Sequence, residues 1–168
     1  TDVSVNWWEL ARKTIGIIGM GNIGKEVARI AEAFGMNVCY FSTSGTSHCK
    51  DYPSLPLEQL LAESDIVSVH APLNERTNGL IGEKELPLMK HSAYIVNMGR
   101  GGIVIEDALV KAVDDGVIAG AALDVYSVEP LPADSCFLKA KHPERFRLAP
   151  HVAWASQEAR ARLIGIVA

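Results

Sequence analysis

A glycine hexapeptide set between a β-rich run and an amphipathic run constrains this chain more than any other feature. Lys13 to Ile18 (KTIGII) is apolar, Gly19-Met20-Gly21-Asn22-Ile23-Gly24 interrupts it, and Ile23, Val27, Ile30, Ala31 and Phe34 then recur at helical spacing. The order is strand, glycine turn, helix. In a GxGxxG turn the first glycine permits the tight bend, the second lets a pyrophosphate approach the backbone, and the third lets the helix pack on the strand. The helix N-terminus adds unpaired N–H groups and partial positive charge. Gly35 closes the helix and Asn37 to Phe41 (NVCYF) forms a second apolar run, which completes a βαβ unit. That context makes Gly19, Gly21, Asn22, Ile23 and Gly24 a candidate phosphate turn, where an isolated hexapeptide would say little.

The alternation continues. Leu57 to Glu63 reads as helix, Ile66 to His70 as strand, Glu83 to Met89 as a short helix and Tyr94 to Asn97 as strand. Ile105 to Asp115 reads as helix, Ile118 to Asp124 and Phe146 to Leu148 as strands, and the chain from Gln157 onward as helix. Strands alternating with helices, and apolar on both faces, predict an α/β fold with a doubly wound parallel sheet. The whole of residues 1–168 is expected to be one dinucleotide-binding domain. Ser127 to Arg145 is the longest irregular stretch, and a loop of that length in a compact domain is usually functional or mobile.

Sixteen Lys and Arg against 20 Asp and Glu give a net charge of −4 without any basic run, which argues against nucleic acid and anionic membrane as partners. No stretch approaches the roughly 18 apolar residues of a spanning helix, and the opening TDVSVNWWEL lacks the pattern of a secretory signal, so a cytoplasmic protein is expected. The three cysteines, Cys39, Cys49 and Cys136, have no CxxC spacing, and His48 beside Cys49 has no further ligand nearby; no metal is expected. The chain lacks an initiating Met and stops inside a helical pattern, as a piece of a longer protein would.

Dinucleotide folds usually carry Asp or Glu at the end of the second strand, roughly 20 residues on, to meet the adenosine ribose. Here Ser42-Thr43-Ser44 stands at that position, and no Arg or Lys occurs from Ser42 to Ser47. The hydroxyls either bond a ribose or phosphate or simply form a polar turn. The cofactor expected is NAD or NADP.

A second constellation lies in the latter half: Arg100 in NMGRGG, Asp124 and Glu129 in ALDVYSVEP, and His151 in APHVAW. Arg100, Asp124 and His151 each follow a predicted strand, and such strand ends face the crevice that holds the dinucleotide. Each has an ordinary alternative as a surface or capping residue; their joint placement sets them apart. A guanidinium can hold a carboxylate bidentately, an imidazolium can protonate a carbonyl oxygen as hydride reaches carbon, and a carboxylate touching the imidazole would favour its charged form. His48, His91 and His142 read as surface residues, and His70 as lying near the cofactor without carrying chemistry.

These segments together resemble the D-isomer-specific 2-hydroxyacid dehydrogenases, in their nucleotide-binding domain. KTIGIIGMGNIG, SDIVSVHAPLNERTNGLI, LMKHSAYIVNMGRGGIV, GAALDVYSVEP and PHVAWAS occur in the family's order and span nearly the whole chain. The resemblance implies a Rossmann fold, Arg100 as binder of the substrate carboxylate, Glu129 and His151 as the acid/base pair, and Asp124 against the nicotinamide carboxamide. It also implies that Ala71, Pro72, Thr77, Asn97, Met98 and Gly99 line the cofactor, with His151 and Trp154 beside it. Formate dehydrogenases are similar but carry Gln where this chain has Glu129, and HVAWAS looks like glycerate dehydrogenases and hydroxypyruvate reductases.

The family further implies a second, substrate-binding domain, a 2-oxo or 2-hydroxy acid substrate, and a homodimer. Residues 1–12, with Trp7 and Trp8, resemble the end of an inter-domain helix, and 157–168 the start of a return helix. A competing reading is an NAD(H)-sensing corepressor-like protein on the same fold.

Overall fold

In the computed structural model, which describes residues 8–167, β1 (Thr14–Ile18) lies between β2 (Asn37–Phe41) and β3 (Ile66–Val69), parallel to both. The sheet continues through β4 (Tyr94–Asn97), β5 (Gly120–Leu123) and β6 (Phe146–Leu148), all parallel, in the order β2-β1-β3-β4-β5-β6. The chain therefore winds outward from β1 to β2, then crosses back to β3. Ligands of such sheets bind at that reversal, beyond the strands' carboxyl ends.

Both sheet faces are covered. Ile18, Leu60, Leu61, Val67, Val69, Ile95, Leu109 and Val113 share one core with α2 (Leu57–Glu63) and α3 (Glu106–Asp114). Ile15, Ile17, Ala28, Ala31, Met36 and Tyr40 form the other, beneath α1 (Asn22–Ala33). This accounts for the continuously apolar strands. In α3, Glu106 and Asp107 occupy the first turn and Lys111 the last, each matched in sign to the helix dipole.

Three sequence expectations are corrected. Of the apolar residues recurring at helical spacing in α1, only part is seated: Ala31 is buried and Val27 packs half-buried against the core, whereas Ile23, Ile30 and Phe34 are 64%, 48% and 60% exposed and Gly24 and Ala28 are buried in their place. Small residues let the helix lie close on the sheet, and closeness outweighed bulk. The helix expected over Glu83 to Met89 is a single 3-10 turn, Leu86–Leu88, because Pro87 has no N–H for an α-helical bond. Finally, β5 starts at Gly120, since the N–H groups of Val117 and Ile118 are bonded to Ala112 at the end of α3.

The irregular stretch Ser127 to Arg145 is organised by 3-10 turns at Cys136–Lys139 and Pro143–Arg145, with Phe137 packed edge-on against Tyr126 and Phe146. α4 (Gln157–Val167) matches the expected helix from Gln157. Trp7 and the rest of 1–7 lie outside the described residues, and residues 8–12 make a bend and turn in which the Lys13 N–H bonds the Leu10 carbonyl.

Candidate dinucleotide and substrate site

The turn between β1 and α1 is shaped by what its glycines touch. Gly19 has φ +94°, a left-handed conformation, and a Cβ there would lie 2.9 Å from the backbone of Ala71 at the end of β3. A Cβ on Gly24 would lie 2.3 Å from the Gly19 carbonyl oxygen. Gly21 differs: a Cβ there would meet nothing within 4 Å. The middle glycine therefore faces open space, as required if a ligand's phosphates approach the backbone there. α1 begins without a side-chain cap or an acidic residue in its first turn, so the N–H groups of its first residues are left for an anion. The residues present fit a dinucleotide.

Further along the sheet the strand ends interlock. A Cβ on Gly99 would lie 2.7 Å from the Ala71 carbonyl oxygen, and one on Gly101 would lie 1.9 Å from that of Tyr126. Buried Asn97 holds the turn after β4, its Oδ1 accepting from the Gly99 N–H and its Nδ2 donating to the Arg100 carbonyl. Arg100 is thereby projected outward and exposed, with Nη1 donating to the Gly99 carbonyl at 2.7 Å. Met98 is half-buried beside it.

Glu129 and His151, 22 residues apart in sequence, meet at 2.6 Å between Oε2 and Nδ1. The other Glu129 oxygen accepts from the Tyr126 N–H at 2.9 Å. Glu129 is held below the usual carboxylate range, first by the His151 bond and next by the Tyr126 N–H, with the Arg100 charge adding to both and burial opposing them. An ionised carboxylate only accepts, so Nδ1 carries the proton and Nε2 is the nitrogen left for a substrate. The pair lines a pocket of about 240 Å³ with Tyr126, Pro130, Leu131, Leu148, Ala149 and Pro150.

His151 sits at φ +54°, a conformation that non-glycine residues seldom adopt. Asp124 holds it there. Only 3% exposed at the end of β5, its Oδ1 accepts from the Val152 N–H and its Oδ2 from the Ala153 N–H, each at 2.8 Å. The contact to a nicotinamide carboxamide implied by the resemblance would use a lone pair that these bonds leave. Asp124→Ala strands two N–H groups, so we expect a stability loss on the order of 3 kcal/mol, read as a lower denaturation midpoint, with turnover of the full-length protein falling as the ring loses its seat. Unchanged stability and turnover would remove this role.

The remaining expected residues divide. Pro72 and Trp154 are exposed, Ala71 is buried in the crevice floor, and Thr77 has no exposed surface at all. The Thr77 hydroxyl donates to the Pro72 carbonyl and accepts from the Asn74 N–H, so it supports the loop from beneath and does not line a cofactor surface with its side chain. Ser42 and Ser44 turn their hydroxyls inward to the Thr46 carbonyl, at 2.6 and 3.1 Å. The turn is thus self-bonded, and the hydrogens read as available to a ribose or phosphate are spent; Thr43 is half-buried beside them. His70, at the end of β3, shares a bond with Ser68, and burial pushes its pKa down, which suits a neutral ring without an acid/base task.

Sequence reasoning missed Gly101, whose contact with Tyr126 is visible only once β4 and β5 are neighbours, and Arg76, whose guanidinium reaches Ser44.

A doubly wound parallel sheet with a glycine-lined, uncapped helix N-terminus at its reversal is a dinucleotide-binding domain of the Rossmann type. Residues 2–153 match the D-isomer specific 2-hydroxyacid dehydrogenase family, NAD binding domain, and the chain belongs to that family. It is 45% identical over 164 residues to a glyoxylate reductase of Korarchaeum cryptofilum, covering 96% of this chain and 48% of that one. It is 42% identical over 152 residues to a glycerate dehydrogenase of Methylorubrum extorquens, covering 90% and 46%. Among solved structures, an acyclic imino acid reductase in complex with NADPH and D-Arg superposes with a TM-score of 0.89 at 34% identity, covering 99% of this chain and 52% of that one. The chain thus spans about half the length of the curated relatives it matches.

Proposed function

We propose that the full-length protein is an NAD(P)-dependent D-2-hydroxyacid dehydrogenase that interconverts a small 2-oxo acid, of the glyoxylate or hydroxypyruvate kind, with its 2-hydroxy acid. The observation that carries this reading is the 2.6 Å bond between His151 Nδ1 and Glu129, which leaves Nε2 as the nitrogen that can exchange a proton with substrate. When bound, the nicotinamide dinucleotide supplies or accepts the hydride. Gly19, Gly21, Asn22, Ile23 and Gly24 would hold its pyrophosphate, with Ala71, Pro72, Asn97, Met98, Gly99, Asp124 and Trp154 around the rest.

Arg100 holds the substrate carboxylate through its guanidinium fork. In reduction, protonated His151 gives the Nε2 proton to the carbonyl oxygen; in oxidation the neutral ring takes the hydroxyl proton back. Glu129 orients the ring and steadies its charged form. The second domain, a homodimer and a cytoplasmic location belong to the same proposal. Three free cysteines, two of them buried, suit a reducing compartment.

The test is turnover of a panel of 2-oxo acids by the full-length protein with NADH and with NADPH. Dinucleotide binding without turnover on any of them would favour the sensing reading. A finer check uses Glu129→Gln. The amide is a weaker acceptor for the Nδ1 proton than a carboxylate, so reductive turnover of the full-length protein is expected to fall by about tenfold while dinucleotide affinity stays near native. Native turnover in the variant would exclude the pairing.

A further inference from the structure

Beyond β2, the segment Ser42 to Ser47 occupies the place where dinucleotide folds read the 2′ position of the adenosine ribose. It contains no charged side chain, and the Ser42 and Ser44 hydroxyls donate their protons to the Thr46 carbonyl. A charge nevertheless stands beside it. Arg76, 32 residues further along the chain, donates from Nη1 to the Ser44 carbonyl at 2.8 Å.

Arg76 is delivered there by a loop that leaves little freedom. Its N–H is held at 2.9 Å by Asn74 Oδ1, and the Asn74 N–H is held at 2.9 Å by the Thr77 hydroxyl, which is anchored in turn on the Pro72 carbonyl. This loop follows β3, which flanks β1 on the side opposite β2. The guanidinium thus links the two sides of the crevice. It is exposed, and none of the ion pairs among the described residues involves it. A guanidinium has five N–H donors, and the Ser44 carbonyl is this one's only hydrogen-bond acceptor among the described residues.

We infer that Arg76 is the specificity-determining residue of this nucleotide site, and that it makes the site prefer a dinucleotide carrying a 2′-phosphate, NADPH, over NADH. The inference rests on the dinucleotide-binding reading above. A planar cation with unspent donors pairs strongly with a phosphate and gains little from a ribose hydroxyl. The opposing device, a carboxylate at the end of β2 that would repel a 2′-phosphate, is absent from Ser42 to Ser47.

The test is calorimetric titration of NADPH and NADH into the full-length protein and its Arg76→Ala and Arg76→Lys variants, at low and at moderate salt. The native protein is expected to bind NADPH at least about tenfold more tightly than NADH, a ratio that salt reduces because it screens a surface charge pair. Arg76→Ala should remove most of that ratio by weakening NADPH alone, and Arg76→Lys should keep part of it. If Arg76→Ala leaves both affinities unchanged, or weakens both equally, Arg76 is only a tether for the Ser44 turn; the inference falls and the dinucleotide reading stands. If the native protein binds neither dinucleotide, both fall.

Discussion

His151→Ala is expected to lower turnover of the full-length protein on a 2-oxo acid by about two to four orders of magnitude, the usual contribution of a positioned general acid. Dinucleotide affinity should stay near native, because the pyrophosphate turn and the 2′ segment lie at β1 and β2 while His151 follows β6, at the opposite end of the sheet. The size of the effect follows from geometry. Nδ1 is engaged by Glu129, Asp124 holds the following two residues, and no other histidine among the described residues touches the pair. His70 offers no substitute, since it is turned to Ser68 and kept neutral by burial. Near-native kcat/KM in the variant would show that the proton comes from elsewhere.

Arg100→Ala should act on a different step. Loss of a charged partner for the substrate carboxylate costs about 3 kcal/mol, or roughly two orders of magnitude in kcat/KM, seen mainly as a raised KM. Among the described residues the exposed guanidinium is braced only by the Gly99 carbonyl, so the fold should tolerate its removal. Arg100→Lys should recover little, since an ammonium cannot reproduce the two-point grip of a guanidinium. A decisive comparison uses a substrate analogue without the carboxylate. Native protein and Arg100→Ala should reduce it equally poorly; a persisting difference would mean that Arg100 serves some other group.

The architecture was readable from the residues because hydrophobic period and glycine punctuation are local signals. β1, β2, β4 and β6 lie within a residue of where the apolar runs put them, and the β1–α1 turn stands where the hexapeptide does. What could not be read depends on neighbours. The seated face of α1 was misjudged in part: Val27 and Ala31 do meet the sheet, but Ile23, Ile30 and Phe34 look like core residues until the sheet's closeness selects Gly24 and Ala28 instead. Glu129 and His151 could be nominated by type and order, but that they touch is a property of β5 and β6 lying side by side. Asp124 could be placed at a strand end, whereas its grip on Val152 and Ala153 needed the turn's conformation. Arg76 was beyond reach altogether, since nothing local ties it to Ser44.

The contacts at Gly19, Gly99 and Gly101 have a consequence for how such a domain can diversify. Where the ends of β3, β4 and β5 press main chain against main chain, with 1.9 to 2.9 Å available for any added carbon, hydrogen is the only substituent that the crevice floor admits. Room for side-chain exchange therefore lies at the rim, at positions such as Arg76 and Trp154, which are exposed. Cofactor preference then becomes a trait that can drift, or be engineered, independently of the proton-transfer machinery.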